Sequence, residues 1–161
     1  MPADALARLE LDAGNGVSLL PRGTGPLALT ATSSARMEVL AGLLASDHRP
    51  VVADCGVLGS DAVAAGLAAG ATHSLLVTRP CYLALRRVTG LPVRPSGVVL
   101  INEPGRALGR ADVESVVGAP VRAEIGFDPT IARAVDSGVL AGRMPRQLDR
   151  ALRAVADPLA A

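Results

Sequence analysis

The sequence contains no lysine, since all 16 basic residues among its 161 are arginine. It also has no tryptophan, one tyrosine and one phenylalanine. Within these residues no lysine can bind a phosphate or act as an amine nucleophile. Arginine does not freely replace lysine in either role. With so few aromatic residues the core must be built from Ala, Val and Leu, which suits helices packed closely on a sheet.

The sequence also lacks a large net charge and a cysteine framework. The formal net charge is +1, so we expect no direct binding to nucleic acid. Cys55 and Cys81 are far apart in sequence, and neither His48 nor His73 has a His or Cys at ligand spacing, which disfavours a zinc site. Without a visible signal peptide or an apolar run long enough for a bilayer, we expect a cytoplasmic protein.

Five short apolar runs alternate with helical patterns and predict strands at 17–20, 51–55, 74–78, 97–102 and 120–125. Strands that are continuously apolar and separated by helices are typical of a parallel sheet covered on both faces. We therefore predict an α/β fold with a doubly wound, mostly parallel sheet of about five strands and helices on both faces. A short N-terminal segment, 1–16, ends in a Gly-Asn-Gly turn and precedes one domain over 17–161.

The predicted loops after these strands hold most of the glycines and many polar residues. They cover 21–25, 54–59, 78–80, 102–105 and 126–128. In open α/β sheets, ligands bind beyond the carboxyl ends of the strands. We therefore expect any functional site at this edge of the sheet.

Two predicted strands, "VVADC" (51–55) and "GVVLIN" (97–102), are each followed by a loop. Both segments resemble motifs of the MinD/ParA family, the deviant-Walker P-loop ATPases of the SIMIBI class. "VVADCGVLG" (51–59) resembles the family's "viiDtppGlg" strand, whose aspartate lies beside Mg²⁺. "GVVLINEP" (97–104) resembles its "lvvNr" strand, whose asparagine holds the adenine. "VSLLPRG" (17–23) and "SLLVTRPCYLALRR" (74–87) also match the family in order and spacing.

The last matching segment, "PVRAEIGFDPTIARAVDSGVL" (120–140), resembles the family's "pvlg.IP.d..v..A...G.p", which lines the other side of the base. The resemblance implies the MinD/ParA-like fold from Val17 to the C-terminus. It also implies a relic nucleotide pocket formed by Asp54, Asn102, Gly126, Phe127 and Asp128, with Asp54 as a relic Mg²⁺ ligand.

The family's P-loop, "KGGxGKT", has no counterpart in the sequence. That loop cradles phosphates with backbone N–H groups and neutralises them with lysines, and only 16 residues precede the first matching strand. Gly126 also stands where the family's "IPxD" has proline. We therefore expect no catalytic residues and no bound cofactor, with ATP and Mg²⁺ only if a P-loop lies upstream.

Each predicted site residue also has a purely structural interpretation, which we favour. Asp54 would cap the loop that follows it through backbone N–H groups. Asn102 would be a turn residue at a strand end, and Asp128 the N-cap of a helix that begins at Pro129. A single carboxylate without a phosphate is also a poor Mg²⁺ site.

These observations leave three functional hypotheses. The first is a non-catalytic MinD/ParA-like domain, a pseudo-ATPase that acts through an active ATPase of the same family or as a homodimer. The second is a fragment, or a chain with a wrongly assigned start, of an active ATPase. The third is a degenerate receiver-like signalling domain with Asp54 after an apolar strand, although lysine and an acidic pair are missing.

The final helical pattern, 144–156, is amphipathic. Leu148, Ala151, Leu152 and Val155 share one face. The pattern contains no Trp, Phe or lysine and is rich in alanine, which disfavours a membrane-surface helix. We therefore predict that it packs on the sheet.

Overall fold

A computed structural model describes residues 6–21, 34–57 and 62–156. The chain forms two compact units, residues 1–70 and 71–161. The single domain over 17–161 stays a prediction, because one domain can contain more than one compact unit.

The first unit contains a short antiparallel hairpin. Strand β1 (Leu11–Asp12) pairs with β2 (Ser18–Leu19). Between them Gly14, Asn15 and Gly16 have φ values of 81°, 53° and 76°. Glycine and asparagine are the residues that adopt this left-handed conformation at least cost, so the predicted Gly-Asn-Gly turn is confirmed.

Two helices of the first unit pack through small residues. They are α1 (Ser34–Ala45) and α2 (Ala62–Gly70). A Cβ atom at Gly66 would lie 3.4 Å from Cε of Met37, and one at Gly70 would lie 3.9 Å from Cβ of Ala41. The small side chains of α2 therefore let the two helices approach closely.

The structure corrects two strand predictions in this unit. The run at 17–20 forms only the two-residue antiparallel β2, and residues 51–55 are not a strand. Val52 is 96% exposed. An apolar run becomes a strand only where a neighbouring strand takes its hydrogen bonds, and no described strand pairs with 51–55.

The second unit contains a parallel sheet in the order β3-β4-β5. The strands are β3 (Leu75–Thr78), β4 (Gly97–Asn102) and β5 (Val121–Gly126). The helices are α3 (Tyr82–Val88), α4 (Arg110–Val117), α5 (Pro129–Asp136) and α6 (Arg146–Ala156). The predicted α/β class is confirmed, but the parallel sheet of the described residues has three strands rather than about five.

Helices cover both faces of this sheet, as predicted. On one face Val98 and Leu100 pack with Leu85 of α3 and Val113 of α4. On the other face Val99, Ala123 and Ile125 pack with Ala151 of α6, and Leu148 and Val155 of the same helix pack against this cluster. The prediction that the last helix packs on the sheet is therefore confirmed, although Leu152, predicted on the same face, is 45% exposed.

A bulge at Arg122 determines which side chains of β5 reach each face. Val98 of β4 pairs with Val121, but the next residue, Val99, pairs with Ala123. Side chains alternate along a regular strand, so Val121 and Ala123 would share a face without the extra residue. With it, Val121 packs toward α4 and Ala123 toward α6.

The described helices include none with the length and apolar character required to cross a bilayer.

Candidate functional site

Four of the five predicted site residues lie together at the carboxyl ends of β4 and β5. Asn102 and Gly126 are register partners at the ends of these strands. The backbone N–H of Phe127 donates to the carbonyl of Asn102 at 2.8 Å. Asp128 follows directly and begins α5. The parallel register therefore brings together residues that are more than twenty positions apart in sequence.

Asn102 and Phe127 keep accessible side chains at this edge. Nδ2 of Asn102 donates to Oε2 of Glu124 over 3.4 Å, a long hydrogen bond that holds the amide weakly. The ring of Phe127 is 56% exposed. The Asn102 amide can form hydrogen bonds with the edge of a nucleobase, and the exposed Phe127 ring can stack on the face of one. These two groups could therefore contact a base at this edge.

Asp128 has the structural role that its position predicts. Its Oδ1 accepts the backbone N–H of Thr130 at 2.8 Å, and Pro129 occupies the first helical position. The hydrogen bond from the Thr130 backbone, followed by that from the Thr130 side chain, lowers the pKa of Asp128. The N-cap interpretation is confirmed, and one carboxylate oxygen is already engaged by the helix.

Gly126 makes room for a side chain from α6. A Cβ atom at this position would lie 2.7 Å from Nε2 of Gln147. The glycine therefore allows the Gln147 amide to lie directly over the end of β5. The sequence showed only that glycine replaces the family's proline at this position and did not indicate this contact.

Asp54 belongs to the other compact unit. Its Oδ1 accepts the backbone N–H of Gly56 at 2.8 Å, and Gly56 has a φ of 61°. This short-range turn agrees with the capping interpretation, although no strand precedes it. The prediction that Asp54 contributes to the same nucleotide pocket as Asn102 stays a prediction.

A magnesium ligand at Asp54 also stays a prediction. The described residues contain no group of three or more His, Cys, Asp and Glu side chains placed to hold a metal ion. The Asp54 carboxylate alone supplies too few oxygen ligands for Mg²⁺, which usually relies on substrate phosphates for the rest.

Sequence reasoning missed a charged cluster at the same edge. Glu103 directly follows β4, and Arg79 directly follows β3. Nη1 of Arg79 donates to Oε1 of Glu103 at 2.8 Å, and Nε of Arg106 donates to Oε2 at 2.7 Å. These hydrogen bonds, from Arg79 first and then Arg106, lower the pKa of Glu103. The signal in the sequence was a charged residue immediately after each of two neighbouring strands.

The Arg79–Glu103–Arg106 cluster carries two positive charges and one negative charge. Both guanidinium groups are partly exposed. Charge-assisted hydrogen bonds to one carboxylate orient them, and the excess positive charge can attract an anion to this edge. Any anion would compete with Glu103 for the same donors.

Two grooves, each of about 370 Å³, lie elsewhere in the second unit. One lies between α3 and α4, and the other between β5 and α6. Asn102, Gly126, Phe127 and Asp128 line neither of them. The predicted base site therefore lies outside both grooves, at the end of the sheet.

Comparison with solved structures identifies the architecture. A ParA family ATPase from Chlorobium tepidum TLS matches with a TM-score of 0.74 and 20% sequence identity, over 96% of this chain and 69% of that chain. The chain has a ParA-like fold. No family model and no curated protein matches the sequence. At this identity the likeness concerns the ParA-like fold alone, and the deviant-Walker assignment stays a prediction.

Proposed function

We propose that the chain is a ParA-like domain that does not hydrolyse ATP. The observation that carries this proposal is the absence of lysine from a chain with a ParA-like fold. Phosphoryl transfer depends on fixed positive charge around the transferred phosphate, and compact lysine ammonium groups usually supply it in P-loop enzymes. Arginine does not replace such a lysine freely.

The edge formed by Asn102, Phe127 and Asp128 is proposed as a relic base site of low affinity. An exposed amide and an exposed ring favour adenine, but Asp128 is committed to its helix. The nearby arginines are shared with Glu103, which weakens their hold on phosphate. We expect a dissociation constant of about a millimolar at best, near −4 kcal/mol.

The proposed mode of action is binding to a protein partner, in partition, positioning or assembly of a secretion or pilus apparatus. The partner is an active MinD/ParA-family ATPase or a second copy of this chain, in the cytoplasm. Within the described sheet β3 pairs only with β4, and Val77 of β3 is 63% exposed. An unpaired strand edge with apolar side chains can accept a strand from another chain.

Calorimetric titration of the chain with ATP·Mg²⁺ and ADP·Mg²⁺ tests the nucleotide part of this proposal. No heat, or a dissociation constant of about a millimolar or weaker, is expected. Asn102→Ala should remove any weak signal, whereas Asn15→Ala, in the hairpin turn of the first unit, should not. Micromolar binding, or phosphate release during incubation with ATP, would contradict a pseudo-ATPase.

An alternative is that the 161 residues are part of a longer, active ATPase. The 69% coverage of the Chlorobium protein favours it, because about a third of that ATPase has no counterpart in this chain. An in-frame upstream sequence with a glycine-rich loop and a lysine would establish this alternative. The receiver-like alternative loses its main feature, since Asp54 does not follow a strand.

A further inference from the structure

A groove of about 370 Å³ runs along the outer edge of β5, beside α6. Helix α6 contributes Gln147, Arg150, Ala151 and Ala154 to its wall. These residues are spaced i, i+3, i+4 and i+7, so they share one face of the helix. Because the alanine side chains are small, they leave space between the helix and the strand.

The start of this edge is closed by side chains of α4. Nη2 of Arg110 donates to the carbonyl of Val121 at 2.7 Å, and Oε1 of Glu114 accepts the Val121 N–H at 2.8 Å. Arg110 thus supplies the donor, and Glu114 the acceptor, that a neighbouring strand would otherwise supply to Val121. They satisfy the backbone of the first residue of β5.

The rest of the edge is unpaired among the described residues. β5 has β4 as its only strand neighbour, and the N–H of Phe127 points toward β4, where it donates to Asn102. Backbone groups of successive residues in a strand point to opposite sides. The backbone N–H and C=O groups of Glu124 and Gly126 therefore point away from β4, at the open edge of the sheet, and Glu124 lines the groove.

The groove is positively charged. Arg110, Arg122 and Arg150 line it together with one carboxylate, Glu124, which gives a net charge of +2. Nη1 of Arg110 lies 3.6 Å from Oε1 of Glu124. Arg122 and Arg150 are exposed and make no hydrogen bond or ion pair with another described residue. Two guanidinium groups thus remain available to carboxylates of a ligand.

We propose that this groove binds an acidic, extended segment of a partner protein, which adds to β5 as a fourth strand of the sheet. The backbone of the segment pairs with Glu124 and Gly126, and its carboxylates contact Arg122 and Arg150. Its small apolar side chains lie against Ala151 and Ala154. Main-chain pairing supplies affinity in this mode of recognition, and the side-chain contacts supply specificity.

A second copy of the chain fits this groove less well than an acidic segment. Each copy would bring three arginines and one glutamate to the contact, so like charges would outnumber opposite ones. The proposal goes beyond the proposed function, because β5 is the edge opposite β3 and its pairing requires no nucleotide.

Fluorescence anisotropy with the full chain tests the proposal. The probe is a short fluorescein-labelled peptide of alternating Glu and Val. Two probes serve as controls: a Lys-Val peptide of the same length, and the Glu-Val peptide with alternate backbone amides methylated. Only the unmethylated acidic peptide should bind, and rising salt should weaken it. Equal binding of the methylated peptide would overturn strand addition.

Variants of the chain separate charge from backbone pairing. Arg122→Ala and Arg150→Ala should each weaken binding by about fivefold. Arg86→Ala is the matched control, because α3 packs on the opposite face of the sheet from α6. Unchanged affinity in both groove variants would overturn the proposal.

Glu124→Pro and Glu124→Ala complete the test. Proline removes the backbone N–H that points into the groove and is tolerated at an edge strand, so binding should be lost while the circular dichroism spectrum is retained. Alanine keeps the N–H and removes the one repelling carboxylate, so binding should be unchanged or tighter. If the proline variant does not fold, the methylated probe still decides between the outcomes.

Dimerisation of the chain would point to a different occupant of the groove. If the chain dimerises with rising concentration and Arg122→Ala abolishes the dimer, the groove binds a second copy and the proposal is contradicted.

Discussion

Glu114 of α4 accepts the backbone N–H of Val121, the first residue of β5, at 2.8 Å. The same carboxylate accepts from Nε of Arg110 at 3.1 Å. The hydrogen bond from the Val121 backbone, followed by that from Arg110, lowers the pKa of Glu114. One helix thus satisfies the backbone of the first residue of the strand that follows it in sequence.

Glu114→Ala should lower the melting temperature by several degrees. Val121 is buried, so its N–H would lose its acceptor with little access to water. Asp136→Ala is the matched control, because Asp136 is exposed and has no hydrogen bond or ion pair with another described residue. Thermal unfolding followed by circular dichroism measures both variants. Equal melting temperatures would show that the Glu114 contact does not stabilise β5.

Glu103→Gln should make stability less dependent on pH. The pKa of Glu103 lies below its ordinary value of 4.5 because Arg79 and Arg106 donate hydrogen bonds to the carboxylate. A lowered pKa in the folded state stabilises the protein fully above pH 4.5, and this contribution is lost as the pH falls through the folded-state pKa. Urea unfolding from pH 7 down to pH 3 should show a smaller acid loss in the variant than in the parent chain. Identical profiles would contradict the role of the cluster.

Leu100→Ala should reduce the free energy of unfolding by about 2–5 kcal/mol. Leu100 is 1% exposed and lies at the centre of the cluster between β4, α3 and α4. Leu83→Ala provides the same chemical change at a residue that is 67% exposed, where we expect a loss within about 0.5 kcal/mol. Urea unfolding compares the two. Similar losses of unfolding free energy in the two variants would show that Leu100 does not lie in the hydrophobic core.

Gly126→Ala should destabilise the chain only slightly, because the new methyl group meets the flexible end of the exposed Gln147 side chain, and Gln147→Ala should remove that small cost. The new methyl group would lie 2.7 Å from Nε2 of Gln147, which must move. A double-mutant cycle by urea unfolding measures the coupling between the two positions. Additive effects would mean that the two side chains do not contact each other in solution.

The sequence by itself determined the elements whose signals are local. Strand β4 occupies the predicted 97–102, and α5 begins where Asp128 and Pro129 placed its N-terminus. The order of strands and helices also determined the α/β class and the position of Asn102, Phe127 and Asp128 at one edge. Caps, turns and apolar periods act within a few residues, so they can be recognised without knowledge of the rest of the chain.

Only the tertiary structure decided the features that depend on pairing between distant segments. Residues 51–55 have the composition of a strand but lack a described partner, and a strand's backbone is satisfied only across a ladder. The bulge at Arg122 reverses which face Ala123 reaches, and no local pattern indicates it. The Arg79–Glu103 ion pair and the open edge of β5 likewise arise from strand order and register. Both are set by long-range contacts.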